Sequence, residues 1–197
     1  MTLAKENRPA DMRCDELYEE FKNKAQLLSA AVYRYRSYKE AAQAIGGLVL
    51  AQKAQKVAVE PAPMLAPLKL ESVLEGKLAD LEKGDLRRAA GELDMGVVFF
   101  NAAIAETGTL VFDASPLKSR LLSMLPPVCV AVGSTSGLVA TFRQAILSYA
   151  GKNVSIPSYL ALVSGPSRTA DIERVLTVGV HGPGELHVIF IDEMGGA

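Results

Sequence analysis

Two polar, glycine-containing loops carry the residues whose types and spacing are best suited to chemistry. In the first loop, residues 101–109, Glu106 is the only charged residue and is followed by Thr107, Gly108 and Thr109. A carboxylate held beside a sheet can act as a general base or a nucleophile, while the glycine allows a tight turn and the hydroxyls can bind a ligand. The alternative is a turn in which the glutamate caps backbone amides, and the local residues favour this structural role.

The second loop follows an apolar run, residues 159–163, and its candidate ligand-binding residues are Ser164, Gly165, Ser167, Thr169, Asp171 and Glu173. Hydroxyls and exposed amides just before a helical turn can hold an oxyanion or a phosphate. The carboxylates of Asp171 and Glu173 would oppose an anion unless Arg168 or a helix terminus offsets them. A serine or threonine N-cap, with Pro166 stiffening the turn, explains the same residues. Both interpretations stay open, and the first predicts an anionic small-molecule ligand.

The two histidines differ in their surroundings. His181 lies directly before Gly182 in a glycine turn, where an imidazole can act as a general acid or base or can anchor the loop through a hydrogen bond. His187 lies in the apolar run 186–191, and we expect it to occupy one face of a terminal strand without a catalytic role. The candidate catalytic residues are therefore Glu106 and His181, with Gly182 among the ligand-binding residues.

The cysteines argue against a metal or redox centre in this chain. There are two, Cys14 and Cys129, and no CxxC pair, so we predict neither an iron–sulfur cluster nor a structural zinc. Cys129 lies in a valine-rich run and is interpreted as a small core residue rather than a nucleophile. The segment 133–137 lacks both the lysine of a Walker loop and the central serine of a nucleophile elbow. Neither a dinucleotide fingerprint nor HExxH occurs, so there is no sequence basis for NAD or zinc.

Composition narrows the function classes further. Lysine plus arginine number 21 against 22 acidic residues, for a net charge of −1, so we do not expect nucleic-acid binding. No run of about 18 or more apolar residues occurs, and the first residues lack the apolar core of a secretory signal. We therefore expect no transmembrane segment and a cytoplasmic location. A length of 197 residues predicts one compact domain.

Periodicity predicts the elements that must position these loops. A first helix is predicted over residues 15–28, and we divide the chain into a helical extension, 1–30, and an α/β domain, 31–197. Further helices are predicted over Leu70–Leu93, with a break near Gly84, and over Leu138–Tyr149. Strands are predicted at residues 31–36, 57–60, 95–100, 109–113, 128–132, 159–163 and 186–191.

Strands that alternate with helices indicate a layered α/β domain with a mainly parallel sheet flanked by helices. Ligands of such sheets bind in loops beyond the carboxyl ends of the strands. We therefore expect the loops after Phe100 and after Val163 to lie at that edge of the sheet.

Several motifs, in this order, resemble those of the LUD domain family. They are Ala103–Thr109, Arg120–Pro126, Ser164–Ser167, Thr169–Glu173 and Gly179–Pro183, and the resemblance extends from about residue 95 to residue 192. The resemblance implies an α/β fold like that of the NagB/RpiA/CoA-transferase group. The segment Phe99–Asn101 departs from the smaller or more polar residues that the family carries there, and this departure would reshape a pocket.

The resemblance also implies a function. It points to a bacterial system that oxidises L-lactate to pyruvate through iron–sulfur partner subunits, so this chain is expected to be a subunit or accessory protein without a redox centre of its own. Whether the chain is itself an enzyme stays open. The alternative is a stand-alone small-molecule enzyme, similar to CoA-transferases or sugar-phosphate isomerases, that uses Glu106.

Overall fold

The computed structural model describes residues 14–81, 85–149, 157–170, 176–178 and 182–195. The α-helices in these ranges are α1 (Cys14–Leu27), α2 (Tyr38–Ala51), α3 (Leu70–Val73), α4 (Leu86–Gly91), α5 (Leu117–Met124) and α6 (Phe142–Ser148). The strands are β1 (Ala31–Tyr35), β2 (Val57–Val59), β3 (Met95–Phe99), β4 (Ala102–Ile104), β5 (Thr109–Asp113), β6 (Val128–Ser134), β7 (Leu138–Val139), β8 (Leu160–Val163), β9 (Arg168–Ala170), β10 (Leu176–Val178) and β11 (Glu185–Ile191). Short 3₁₀ helices span Pro63–Leu68, Thr135–Gly137 and Glu193–Gly195. Within the described ranges, no helix combines the length and the apolar character needed to cross a membrane.

A parallel sheet of five strands, in the order β1-β11-β6-β3-β2, forms the centre of the fold. Strands β6 and β11 are buried on both faces of the sheet, and for this reason their sequences are nearly continuous apolar runs. Helix α2 covers one face, where Ile45 and Val49 pack with Val130 and Ile189. Helices α1 and α5 cover the other face. The structure confirms the predicted layered α/β fold with a mainly parallel sheet.

A second, mixed sheet has the order β7-β4-β5-β8. Strand β4 pairs antiparallel with β5, because the short turn between them is far below the dozen or so residues that a parallel crossover needs. Strand β8 then adds to the other edge of β5, again antiparallel. The expectation that the loop after Val163 follows a strand of the parallel sheet is therefore wrong. Of the two loops, the one after Phe100 lies at the carboxyl edge of the parallel sheet.

Two predicted helices are shorter in the structure. The region Leu70–Leu93 contains the short helices α3 and α4 instead of one interrupted helix. The segment Leu138–Tyr149 begins with strand β7, and α6 starts only at Phe142. The side chain of Thr141 accepts a hydrogen bond from the Gln144 amide, and the Gln144 side chain accepts one from the Thr141 amide. This reciprocal cap determines where the helix begins, and it overrides the apolar spacing that starts earlier.

Helix α1 packs into the core through an aromatic cluster. The rings of Tyr18 and Phe21 meet the ring of Phe190 edge to face, with centroids 5.6 and 5.2 Å away. The ring of Phe100 meets the same residue at 5.2 Å. Helix α1 thus shares one core with the sheet. The division of the chain at residue 30 stays a prediction.

Replacing Phe21 with alanine is expected to lower the free energy of unfolding by about 3–5 kcal/mol, because a fully buried ring leaves the core. Leu27→Ala is the matched control on the same helix: its side chain is 77% exposed, and we expect a change within about 0.5 kcal/mol. Urea unfolding followed by circular dichroism measures both. Equal effects of the two substitutions would contradict the placement of α1 in the core.

Candidate functional site

A chain of three hydroxyl groups joins the two loops that the sequence singles out. The Thr107 hydroxyl donates to Thr109 Oγ1 over 2.8 Å, and Thr109 Oγ1 lies 2.8 Å from Ser164 Oγ in a second hydrogen bond. The contact follows from the register of the second sheet, since Leu110 on β5 pairs with Val163 on β8. The structure therefore brings the Glu106 loop and the Ser164 loop together. These three hydroxyl groups are hydrogen-bonded to one another, and their role in ligand binding stays a prediction.

Both loops rest on the carboxyl end of α1 through a glycine. Gly108 has a φ of +65°, and a Cβ built there would lie 2.5 Å from the backbone nitrogen of Ala25. A Cβ on Gly165 would lie 2.6 Å from the carbonyl oxygen of Leu28. At 2.5 and 2.6 Å there is no room for a side chain at either position, so both glycines are explained by the close approach of α1.

The carboxylate of Glu106 points to the amino end of α6. Its Oε1 accepts a hydrogen bond from the Phe142 amide over 2.6 Å, and the Glu106 amide donates to the Ala140 carbonyl over 3.2 Å. A carboxylate in this position satisfies a backbone N–H that has no partner inside the helix and offsets the helix dipole. This geometry is the capping arrangement that the sequence leaves as an alternative. A catalytic role of Glu106 stays a prediction.

The remaining predicted residues are placed only in part. The Ser167 amide donates to the Pro183 carbonyl over 2.8 Å, and a Cβ on Gly182 would lie 3.0 Å from Ser167 Cβ, so the Ser164–Ser167 loop lies beside the segment that leads into β11. Thr169 belongs to β9, where its backbone pairs with Thr177 on β10. Three predicted residues, Asp171, Glu173 and His181, lie outside the described residues.

Two reactive residue types are held in the sheet. Cys129 is buried in β6, and burial raises the pKa of its thiol to about 12, with the Glu60 carboxylate acting in the same direction. Since the thiolate is the nucleophile, this thiol is inert near neutral pH. This agrees with the interpretation of Cys129 as a core residue. His187 is buried on β11, stacks on Tyr33 with ring centroids 6.1 Å apart, and has Nε2 3.3 Å from Glu185 Oε2.

The possible metal ligands among the described residues form no cluster. In the part of the chain that the structure describes, no three histidine, cysteine, aspartate or glutamate side chains come together as metal ligands. Cys14 is exposed on α1, whereas Cys129 is buried in β6. An iron–sulfur cluster is held by about four ligands, most of them thiolates, so these two thiols do not fit one.

A cavity of about 540 Å³ lies at the carboxyl ends of β2 and β3. Its polar lining residues are Glu60, Asn101, Asp113, Lys118 and Ser119. The sequence pointed to a reshaped pocket at Phe99–Asn101, and this segment lines the cavity through Phe99 and Asn101. Sequence reasoning missed Glu60, although an acidic residue directly after a short buried strand was a usable signal. Asp113 reaches the cavity because its amide donates to Asn101 Oδ1, just after the end of β3, over 2.7 Å, and Ser119 reaches it because α5 packs against β3.

Backbone groups orient the polar side chains of this cavity. Glu60 Oε2 accepts from the Phe99 amide over 2.7 Å, and its Oε1 accepts from the buried Ser119 hydroxyl. Asn101 Oδ1 accepts from the Asp113 amide over 2.7 Å, and Asp113 Oδ1 accepts from the Ser115 amide over 2.9 Å. These bonds fix the direction in which each carboxylate and amide presents its remaining hydrogen-bonding capacity.

The family model described as the LUD domain matches residues 18–191 of the chain. The chain belongs to the LUD domain family. This match includes most of α1, both candidate loops and the cavity, so all of them are parts of the LUD domain. A crystal structure of a DUF162 family protein from Deinococcus radiodurans has the same fold, with a TM-score of 0.67 and 21% sequence identity, and the alignment covers 92% of this chain and 99% of that one.

Several curated relatives of this LUD domain carry the name lactate utilization protein C. The protein from Bacillus mycoides, named Lactate utilization protein C 1, is 40% identical over 105 residues, which are 51% of this chain and 44% of the relative. The Bacillus subtilis protein is 34% identical over 118 residues, 58% of this chain and 49% of the relative. The Halalkalibacterium halodurans protein is 33% identical over 148 residues, 72% and 64% respectively. The matched segment spans about half the length of the first two relatives.

Gly108→Ala is expected to lower the free energy of unfolding by about 1–3 kcal/mol, because a side chain there meets the backbone of α1 and the positive φ is strained. Gly47→Ala is the control. Gly47 lies inside α2 and has open space where a Cβ would stand, so alanine should stabilise the protein by about 0.5–1 kcal/mol. Thermal unfolding of the two variants should therefore shift in opposite directions, and a shift of the same sign in both would refute the packing role of Gly108.

A second pair of variants tests the capping role of Glu106. If the carboxylate caps α6, Glu106→Ala should cost about 1 kcal/mol of stability, and Glu106→Gln should cost less because the amide oxygen still accepts from Phe142. Chemical denaturation measures both. The capping role is contradicted if alanine and glutamine leave the stability at the wild-type value.

Proposed function

We propose that this LUD domain serves in a bacterial lactate-utilisation system that oxidises L-lactate to pyruvate, as a subunit or accessory protein without a redox centre of its own. The single observation that carries the proposal is the similarity to the relatives named lactate utilization protein C, at 33–40% identity over segments of 103 to 148 residues in three of them. The family match over residues 18–191 supports it, because the similarity extends through the core of the domain and is not confined to one motif.

The proposal assigns electron transfer to partner subunits that hold iron–sulfur clusters. Its support in this chain is the chemistry of the thiols: Cys129 is buried with a raised pKa, and Cys14 lies apart from it on α1. Oxidation of a hydroxyl to a carbonyl releases two electrons and two protons, and in this proposal the iron–sulfur partner subunits accept the electrons. The LUD domain would then contribute assembly, stability or substrate handling.

Deleting the gene from its host is expected to abolish growth on L-lactate as sole carbon source and to leave growth on pyruvate intact, since the block lies before pyruvate. Wild-type protein and Leu27→Ala, whose side chain is exposed, should restore growth. Growth curves on the two carbon sources measure this. Normal growth of the deletion strain on L-lactate, in a host whose iron–sulfur partner genes are essential there, would overturn the proposal.

The partner assignment has its own measurement. Affinity purification of the tagged chain from lactate-grown cells should recover proteins with iron–sulfur absorbance, and the same purification with the destabilised Phe21→Ala variant should recover less of them. A stable wild-type chain that brings down no iron–sulfur protein would remove the partner subunits from the proposal.

A further inference from the structure

The proposed lactate role assigns no function to the cavity at the carboxyl ends of β2 and β3. Its volume of about 540 Å³ lies within the range of roughly 300–1,000 Å³ that is usual for small-molecule sites. Neither Glu106 nor Ser164 lines it. It occupies the edge of the parallel sheet at which α/β folds bind their ligands, so its own chemistry decides what it can hold.

The polar residues of the cavity lining offer acceptors in fixed positions. Each oxygen of Glu60 accepts one hydrogen bond from the protein, which leaves a second lone pair on each for a ligand. Asp113 is bonded to the protein through Oδ1, so Oδ2 can also accept from a ligand. The oxygen of Asn101 is taken by the Asp113 amide, which directs the NH₂ group of Asn101 outward as a donor.

The charges in the cavity disfavour a simple anion. The lining contains two carboxylates, Glu60 and Asp113, and one ammonium group, Lys118, so its formal charge is −1. A carboxylate ligand such as lactate or pyruvate would meet repulsion from both acidic side chains. A neutral ligand that donates hydrogen bonds through hydroxyl groups would satisfy the same acceptors without this cost.

The cavity lining also contains apolar side chains, which suit carbon–hydrogen surfaces. They are those of Pro61, Pro63, Phe99, Pro116 and Leu117. A sugar ring has one edge of hydroxyls and a face of C–H groups, and a carboxylate can accept from two adjacent hydroxyls at once, as acidic residues do with ribose in dinucleotide sites. We propose that this cavity binds a neutral vicinal diol, either a free pentose or the ribose of a nucleoside, with Glu60 and Asp113 accepting from the hydroxyls and Asn101 donating to a ring or hydroxyl oxygen.

The experiment is a titration of the ¹⁵N-labelled full chain followed by amide chemical shifts. The probes form matched pairs: methyl β-D-ribofuranoside with its 2-deoxy analogue, and adenosine with 2′-deoxyadenosine, with L-lactate and pyruvate as anions. We expect the two vicinal diols to shift the amides of Phe99, Asn101 and Ser119, and the deoxy analogues to bind at least about tenfold more weakly. If adenosine binds more tightly than methyl β-D-ribofuranoside, the ligand is a nucleoside. If the two compounds bind with equal affinity, the ligand is a free sugar.

Asp113→Asn tests the acceptors without removing the bond to the Ser115 amide, because the asparagine oxygen can keep it. This variant should bind the two vicinal diols about tenfold more weakly than the wild-type protein does. Asp94→Asn is the matched control: Asp94 also accepts backbone amides, from Gln55 and Lys56, and it does not line this cavity. Three results would each overturn the proposal. They are the absence of amide shifts with both diols, equally tight binding of the deoxy analogues, and shifts caused by the anions instead of the diols. None of these outcomes bears on growth on lactate, so the two proposals fail separately.

Discussion

The ring of Phe190 lies where three parts of the fold meet, and the packing around it constrains what is built on the parallel sheet. Tyr18 and Phe21 bring α1 onto this ring, and Phe100 brings the end of β3 onto it. The backbone of Gly133 on β6 leaves the space that the Phe100 ring fills, and a Cβ at this glycine would overlap the ring. Because Phe100 is held on two sides, the chain leaves the parallel sheet at a fixed point and passes into the second sheet.

Helix α1 then acts as a support for the candidate loops. Its burial against Phe190 sets the position of its carboxyl end, and Gly108 and Gly165 both approach the backbone there. The hydrogen bonds from Thr107 to Ser164 follow from the pairing of β5 with β8, and both loops that carry them contact α1. A shift of α1 would therefore move both loops together. The geometry of the loops thus depends on the packing of the aromatic cluster that holds α1.

The central sheet was predictable because burial on both faces leaves a signal that does not depend on distant residues. Strands β6 and β11 stand out as apolar runs, and the alternation with helices indicates a parallel sheet. The second sheet left a weaker signal, because β4 and β7 have three and two residues and obtain their stability from pairing. The start of α6 was readable in Thr141 and Gln144, but the apolar spacing from Leu138 suggested an earlier start.

The candidate site shows a similar division. The two loops were identified by residue type, and the sequence also contained the capping role of Glu106, since a glutamate in a short turn is more often a hydrogen-bond acceptor than a nucleophile. The contact partner, the Phe142 amide, lies 36 residues away and follows only from the fold. The cavity was harder still to predict from the sequence. Glu60, Asp113 and Ser119 are distant in sequence, and they line one cavity only because the fold brings the end of β2, β5 and α5 together.

The placement of negative charge in that cavity limits what can be inferred from the family. Glu60 joins the end of β2 to the Phe99 amide and to Ser119 on α5, so its carboxylate is needed to hold three elements together. A carboxylate kept for this reason also adds a negative charge to the cavity lining, which contains Asp113 as well, and carboxylates repel a small anion. A shared fold leaves the ligand of each member to be decided by its own side chains. In this chain the structural role of Glu60 and the choice of ligand are therefore coupled, because a substitution of Glu60 that removed its negative charge would also loosen the contact between β2, β3 and α5.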